Sequence, residues 1–283
     1  LFRSKIAVVV DSSTILSERM LKHPDVYVVN IKVAVDTMEV ENFTKEDLFR
    51  AFEKEQRLQT SQPSIQEANN LFSMILKKDY DHVLVLSVSK ELSGTFNGLT
   101  LAARLSDDSR LEVIDTQTIA GAVGYMVECV ICAAENNQTY DSIKEMLNQL
   151  ISNTMAFLLP QTLKRLILSG RVNRAVGTFS DFMKLKIVLV LKNKGNQIEK
   201  FDIVRTETRA FSKMMDAFAD FGVNSKDYLV MLMSVDDSAP MAKVKKAIFE
   251  RFSSIELREI ELPTVLASHG GLGVIAIQCI KKI

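Results

Sequence analysis

The sequence predicts an α/β fold with two domains, and two features of the 283 residues support this prediction. Short apolar runs alternate with amphipathic helical stretches, an order that is typical of β-α-β units with a mostly parallel sheet. The runs at 6–10 and 83–86 are continuously apolar rather than alternating, which indicates strands buried on both faces. We therefore expect the first sheet to carry helices on both of its faces.

The elements of the first half follow from local signals. A strand at 6–10 ends at Asp11-Ser12-Ser13, and the residues 26–35 are predicted as one second strand. Thr44 and Ser64 each stand three residues before an acid, the pattern of a capping box at a helix start. The later elements are predicted as a strand at 83–86, a helix opened by Ser93-Gly94-Thr95 and running through 105, a strand at 111–114 and a helix at 118–135.

A second domain is predicted to begin near Asn153, giving an N-terminal domain at 1–153 and a C-terminal domain at 154–283. Asn193-Lys194-Gly195-Asn196 is typical of a hairpin turn, so the second sheet is expected to be mixed or antiparallel. Gly222 is the expected end of a helix. The predicted elements are strands at 187–191, 197–204, 228–235, 256–262 and 273–280, and helices at 209–221 and 239–252.

The composition and the local sequence patterns argue against several classes of function. Lys+Arg and Asp+Glu are 35 each, which gives no general support for binding nucleic acid. The longest apolar run, 119–134, is too short for an integral membrane segment. Three cysteines and no signal-peptide pattern indicate a cytoplasmic protein. The first glycine is Gly94, so no glycine-rich dinucleotide loop follows the first strand, and no phosphate-binding GKS/T motif occurs.

Two polar clusters precede predicted helices. Thr60 and Ser61 lie in a predicted loop that ends on the cap Ser64, and their hydroxyls are not needed for capping. Hydroxyls at a helix N-terminus can hold an anion, and the alternative is a plain capped loop, for which Ser64 alone suffices. Ser93-Gly94-Thr95 allows the same two interpretations, an N-cap or a ligand site at the carboxyl edge of a parallel sheet.

Further candidates lie in the second half. His269 precedes the predicted glycine loop Gly270-Gly271-Leu272-Gly273, where glycines allow close backbone approach to a ligand; a tight turn is the alternative. Arg171 follows Gly170, and Arg205 follows a strand; either can be a surface charge. Cys129 and Cys132 form a CxxC inside an apolar helix and are predicted to be buried, without a second pair to complete a zinc site.

Six short motifs, taken together and in their order along the whole chain, resemble those of the DegV family. The motifs are Asp11-Ser12-Ser13, Thr60-Ser61-Gln62-Pro63-Ser64, Leu92-Ser93-Gly94-Thr95-Phe96, Val113-Ile114-Asp115-Thr116, Ser169-Gly170-Arg171-Val172 and His269-Gly270-Gly271-Leu272-Gly273. The resemblance implies two α/β domains that hold one long-chain fatty acid (C14–C18) in a slot between them, with no cofactor and no catalysis.

The resemblance also implies roles for individual residues. The carboxylate is expected on the hydroxyls of Thr60, Ser61 and Ser93 and on His269. Gly94, Thr95, Gly270 and Gly271 belong to the supporting loops, while Arg171 and Arg205 are expected at the head group or a partner surface. Family members called FakB present the acid to a separate kinase, FakA, so a FakA-like partner and transient membrane contact are expected.

The chain departs from the family pattern in its second half. Arg165 stands where the family usually has an aromatic, and Ile187 replaces a common proline. A serine hydrolase is an alternative, because Ser93, Asp115 and His269 occur in the chain order of α/β-hydrolases. However, Glu91 occupies the first glycine position of the nucleophile elbow. A lipid-sensing interaction module is a third possibility.

Overall fold

The structure, a computed structural model, describes residues 4–173, 185–192, 198–236 and 240–283. The chain divides into two compact units, Leu1–Glu41 with Thr60–Ser152 and Asn42–Gln59 with Asn153–Ile283. The segment Asn42–Gln59 thus groups with the second unit, a grouping that no sequence pattern indicated. The functional domains 1–153 and 154–283 stay a prediction.

The described residues form strands and helices in the following order along the chain. As far as Ser152 they are β1 (Ile6–Asp11), α1 (Glu18–Leu21), β2 (Val26–Val29), β3 (Lys32–Val35), β4 (Met38–Val40), α2 (Lys45–Glu53), β5 (Leu58–Ser61), α3 (Ile65–Leu76), β6 (His82–Ser87), α4 (Thr95–Ser106), β7 (Leu111–Asp115), α5 (Gly121–Glu135) and α6 (Tyr140–Ser152). After Ser152 they are β8 (Thr154–Leu159), α7 (Lys164–Leu168), β9 (Lys186–Lys192), β10 (Glu199–Val204), α8 (Glu207–Asp220), β11 (Tyr228–Ser234), α9 (Pro240–Arg251), β12 (Glu256–Glu261), α10 (Thr264–Gly270) and β13 (Ile275–Lys281).

The first unit contains a four-stranded sheet in the order β2-β1-β6-β7, and every neighbouring pair is parallel. Along β1, Ala7 and Val9 belong to a core cluster with residues of α3 and α4. Val8 and Val10 point to the opposite face and are also fully buried, and α5 contacts β1. The predicted parallel sheet with helices on both faces is therefore confirmed.

The second unit contains a six-stranded sheet in the order β10-β9-β8-β13-β11-β12. Among the strand pairs that the described residues form in this sheet, only β11–β12 is parallel, and the others are antiparallel. Phe211, Met214 and Phe218 of α8 are fully buried against one face together with residues of α9. The predicted mixed sheet is confirmed.

Local sequence signals account for several element boundaries. Thr44 and Ser64 both form complete capping boxes, with Asp47 and Glu67 respectively. The helix α8 ends just before Gly222, which adopts a φ of +96° that disfavours other residues. These boundaries are predictable because the signal lies within a few residues of each one.

Two predicted boundaries are wrong for identifiable reasons. The residues 26–35 form two strands rather than one, because the N–H of Ile31 donates to the Ser12 hydroxyl (2.9 Å) between them. Helix α5 begins at Gly121 and not at Thr118, since Ala120 has a φ of +61° that is incompatible with a right-handed helix. The predicted hairpin turn at 193–196 lies outside the described residues.

Candidate functional site

In the first unit, the carboxyl ends of the parallel strands gather polar residues at one edge. The register pairs Val10 with Leu86 and Ser87 with Asp115, so β1, β6 and β7 end side by side. Polar side chains at this edge are almost fully buried, namely Asp11, Ser13, Ser87, Ser89, Thr116 and Thr118. This edge is where α/β sheets usually bind ligands.

Asp11 fixes the loop after β6. Its carboxylate accepts hydrogen bonds from the Val88 N–H (2.9 Å) and the Ser13 N–H (3.0 Å), and a short one from the Ser13 hydroxyl. Burial raises the pKa of Asp11, although these hydrogen bonds act in the opposite direction. Asp11 therefore serves as an internal anchor for the segment that leads to Ser93.

The Ser93 turn is held by short-range hydrogen bonds. Ser93 Oγ lies 2.8 Å from Thr95 Oγ1 and accepts a bond from the Thr95 N–H (3.2 Å). The N–H of Ser93 donates to Ser89 O at 3.2 Å. Gly94 takes the N-cap position of α4, so Ser93 precedes the cap by one residue. Ser93 is half-buried and Thr95 is fully buried, leaving Ser93 the more accessible hydroxyl.

Thr60 and Ser61 end the strand β5 and do not lie in the predicted loop. The strand was missed because its four residues, of which only Leu58 is buried, carry no clear apolar alternation. Thr60 is half-buried and Ser61 is exposed. The next residue, Gln62, extends its side chain onto the start of α4, against Gly94. The structure thus brings the Thr60–Ser61 and Ser93 motifs together through Gln62.

In the second unit, His269 lies in the last turn of α10, which extends to Gly270, the first residue of the predicted loop. The glycine loop follows it, with Gly271 at a φ of +85° and Gly273 at +69° before β13. The sequence did not predict this short apolar helix, because its last residue is a glycine of the predicted loop. Burial, and secondly the Arg171 guanidinium, lowers the pKa of His269 to about 4. The imidazole is therefore neutral at pH 7.

Arg171 follows the positive-φ residue Gly170 just after α7. Its guanidinium donates to Ser169 O at 2.6 Å and is half-buried. Within the described ranges, no carboxylate forms an ion pair with it, and burial lowers its pKa. A half-buried cation beside a neutral histidine is a suitable environment for an anion.

Arg165, the departure from the family pattern, has a defined environment in the second unit. Its guanidinium lies 3.9 Å from the centre of the Phe52 ring, and it donates to Gln56 O at 3.4 Å. Both partners belong to the segment Asn42–Gln59. Arg165 therefore joins α7 to that segment by a cation–π contact.

Arg205 is exposed directly after β10, whose last residue, Val204, pairs with Lys186. Lys186 donates to Gln161 Oε1 (2.9 Å), and Gln161 Nε2 donates to Gly273 O (3.2 Å). Gln161 thus connects the start of β9 to the glycine loop after His269. Sequence reasoning missed Gln161, because a single exposed glutamine gives no signal.

The hydrolase alternative gains no support from the surroundings of Asp115. One carboxylate oxygen accepts the N–H groups of Lys90 (3.2 Å) and Gln117 (3.0 Å), and the other faces the Lys90 ammonium at 3.7 Å. A triad acid instead needs an oxygen directed at the histidine.

The predicted burial of the CxxC pair is wrong in part. Cys132 is exposed and Cys129 is half-buried, because both approach the outer face of α5. Across the described part of the chain, no three His, Cys, Asp or Glu side chains are grouped so that they could hold a metal ion. Likewise, none of the described helices has the length and apolarity needed to cross a membrane.

Comparisons with known proteins find the same family over almost the full length of this chain. A family model described as "Uncharacterised protein, DegV family" matches residues 5–282. A DegV family protein from Thermus thermophilus, whose structure is described by its fatty acid binding, is 26% identical with a TM-score of 0.88, covering 98% of this chain and 100% of that one.

Two further relatives show the same extent of similarity. A fatty acid binding DegV family protein from Streptococcus agalactiae is 22% identical with a TM-score of 0.88, covering 99% of this chain and 100% of that one, a likeness of fold. A DegV domain-containing protein from Staphylococcus aureus is 25% identical over 283 residues, covering 99% of this chain and 100% of the relative.

Proposed function

Because the chain belongs to the DegV family, we propose that it binds one long-chain fatty acid non-covalently and carries it without transforming it. The single observation that carries the proposal is the full-length similarity to the Thermus thermophilus protein, which is described by its fatty acid binding. The polar residues at the carboxyl edge of the first sheet support the proposal, because hydroxyl groups can donate to a carboxylate.

The proposal assigns the carboxylate to the hydroxyls of Thr60, Ser61 and Ser93 and to His269. Hydroxyl and neutral imidazole N–H groups are donors that favour the ionised acid without a buried salt bridge, whose desolvation is costly. The half-burial of Ser93 and the lowered pKa of His269 support these roles. Arg171, which lacks a carboxylate partner among the described residues, adds a positive potential.

The alkyl tail supplies most of the binding energy. About fourteen methylenes contribute on the order of 11 kcal/mol at roughly 0.8 kcal/mol per buried group. Association and ordering remove several kcal/mol of this, so an affinity between nanomolar and micromolar is expected.

We further propose that the protein presents the bound acid to a FakA-like fatty-acid kinase in the cytoplasm, with Arg171 and Arg205 at the head group or the partner surface. The exposure of Arg205 supports a role at a surface. A kinase partner would phosphorylate the carboxylate, so the carrier itself needs no nucleotide loop.

The test is calorimetric titration of palmitate into the wild type, Thr60→Ala, Ser93→Ala and the control Ser73→Ala, which removes an exposed hydroxyl on α3. We expect one site, an approximately tenfold loss for each of the first two variants, and no change for the control. An absence of binding overturns the carrier proposal. Unchanged affinity in both site variants overturns the residue assignment.

Separate measurements distinguish the alternatives. A fluorophosphonate probe that labels Ser93 covalently would establish a hydrolase, whereas the carrier proposal predicts no labelling. A partner captured only by the fatty-acid-loaded or only by the empty protein, with no phosphorylation of the acid, would favour a lipid-sensing module.

A further inference from the structure

Gln62 occupies a slot that two glycines leave open on helix α4. A Cβ atom at Gly94 would overlap Oε1 of Gln62, and among the described residues, apart from Gly94, its sequence neighbours and the adjacent backbone of α4, only Gln62 lies within 4 Å of that position. At Gly98, a Cβ would lie 3.3 Å from Nε2 of Gln62, and the three nearest atoms all belong to Gln62. The side-chain amide therefore lies flat along the first turn of the helix.

Backbone conformation does not explain these glycines. Gly94 has a φ of −65° and a ψ of −7°, values that any residue adopts. Gly98 lies inside α4, where glycine costs about 1 kcal/mol relative to alanine. Residues four apart share one face of a helix, so both positions face the same neighbour. Space for Gln62 is the feature that they have in common.

Gln62 is fixed in the chain on both sides. The strand β5 ends at Ser61, immediately before it, and Pro63, immediately after it, is buried. The capping box follows, in which Ser64 Oγ accepts from the Glu67 N–H (3.1 Å) and the Glu67 carboxylate accepts from the Ser64 N–H (2.9 Å). The amide is thus presented to α4 from a constrained segment.

We infer that Gln62 is a positioning residue for the head-group site, which sets the separation between the hydroxyls of Ser61 and Ser93. In the sequence, Ser61 directly precedes Gln62, and Ser93 directly precedes Gly94. Because Gln62 is exposed, its contact contributes little to the core. The inference rests on the proposed function, since it concerns the same carboxylate site.

The experiment compares Gln62→Ala, Gly94→Ala and the double variant. Gly94→Ala displaces the amide without deleting it, since the overlapping atom is the end of a flexible side chain. The matched control is Gln66→Ala, which removes an exposed amide on α3 that bonds Asn70 (2.8 Å) and does not contact α4 glycines. Each protein is titrated with palmitate and with methyl palmitate, whose ester lacks the anionic head group.

We expect each single variant to weaken palmitate binding about tenfold, with methyl palmitate affinity and the urea midpoint unchanged. The double variant should be no weaker than either single variant, since Gln62 is the one described side chain outside the immediate sequence that the added methyl would meet, and Gln62→Ala shortens it. Wild-type affinity in Gln62→Ala, equal losses for both ligands, or additive losses would overturn the inference. A wild type that binds no palmitate overturns the proposed function instead.

Discussion

The carboxylate of Asp11 accepts a hydrogen bond of 2.9 Å from the N–H of Val88, which is 77 residues further along the chain. Both residues are buried, and they join the ends of two adjacent parallel strands, β1 and β6. The loop that carries Ser93 starts at this point. One buried acid thus holds together the first strand and the proposed head-group turn.

Asp11→Ala should lower the free energy of unfolding by about 3 kcal/mol, since the Val88 and Ser13 N–H groups would be left buried without an acceptor. Urea denaturation measures the change. The control is Asp79→Ala, an exposed acid paired with Lys5, which should leave stability unchanged. Equal stability of the Asp11 variant and the control would contradict the role of Asp11 as an anchor.

Gly124→Ala tests the packing of α5. A Cβ there would overlap the carbonyl group of Ile15, which is backbone and cannot rotate away, so we expect a loss of about 3 kcal/mol. The comparison is Gly222→Ala, where an added Cβ meets no described residue beyond its chain neighbours within 4 Å but the φ is +96°. Backbone strain alone should therefore cost about 1 kcal/mol at this position. Denaturation curves giving the two variants the same cost would refute this explanation.

His269 should make stability depend on pH. Its pKa in the folded protein is about 4, below its ordinary value of 6.5, so the unfolded chain binds a proton that the folded one does not. The contribution of neutral His269 is complete above pH 6.5 and declines as the pH falls toward 4. The difference in unfolding free energy between wild type and His269→Gln should change by up to about 3 kcal/mol between pH 7 and 4. If the unfolding free energies of wild type and His269→Gln change with pH in parallel, His269 is not buried in its neutral form.

Arg171→Met should raise the pKa of His269, because the Arg171 charge opposes protonation of the imidazole. Titration of the His269 ring by nuclear magnetic resonance measures the shift directly. The control, Arg209→Met, removes an exposed charge on α8 and should leave the pKa where it is. If the pKa of His269 is unchanged in Arg171→Met, the Arg171 charge does not act on the imidazole and this prediction is wrong.

Local signals predicted much of the fold. The capping boxes at Thr44 and Ser64 and the stop at Gly222 depend on residues within one helical turn, so the sequence suffices. The break between β2 and β3 depends on Ser12, which lies 19 residues from Ile31. The grouping of Asn42–Gln59 with the second unit is also a tertiary result, as the Arg165–Phe52 contact illustrates.

For the site, the sequence supplied the motifs but not their supports. Ser93 and Thr60 stood out because hydroxyls near helix starts have a known chemistry, and their roles at the carboxylate stay predictions. Gln62 and Gln161 gave no such signal, because their roles depend on contacts with glycines that are distant in the chain. Positioning residues of this kind become visible only in three dimensions.

Native mass spectrometry of the purified protein, followed by denaturing extraction and lipid identification, tests the central claim most directly. We predict one adduct per chain, released as a free C14–C18 fatty acid. A protein that is purified empty, and that remains empty when palmitate and oleate are offered, would contradict the carrier function.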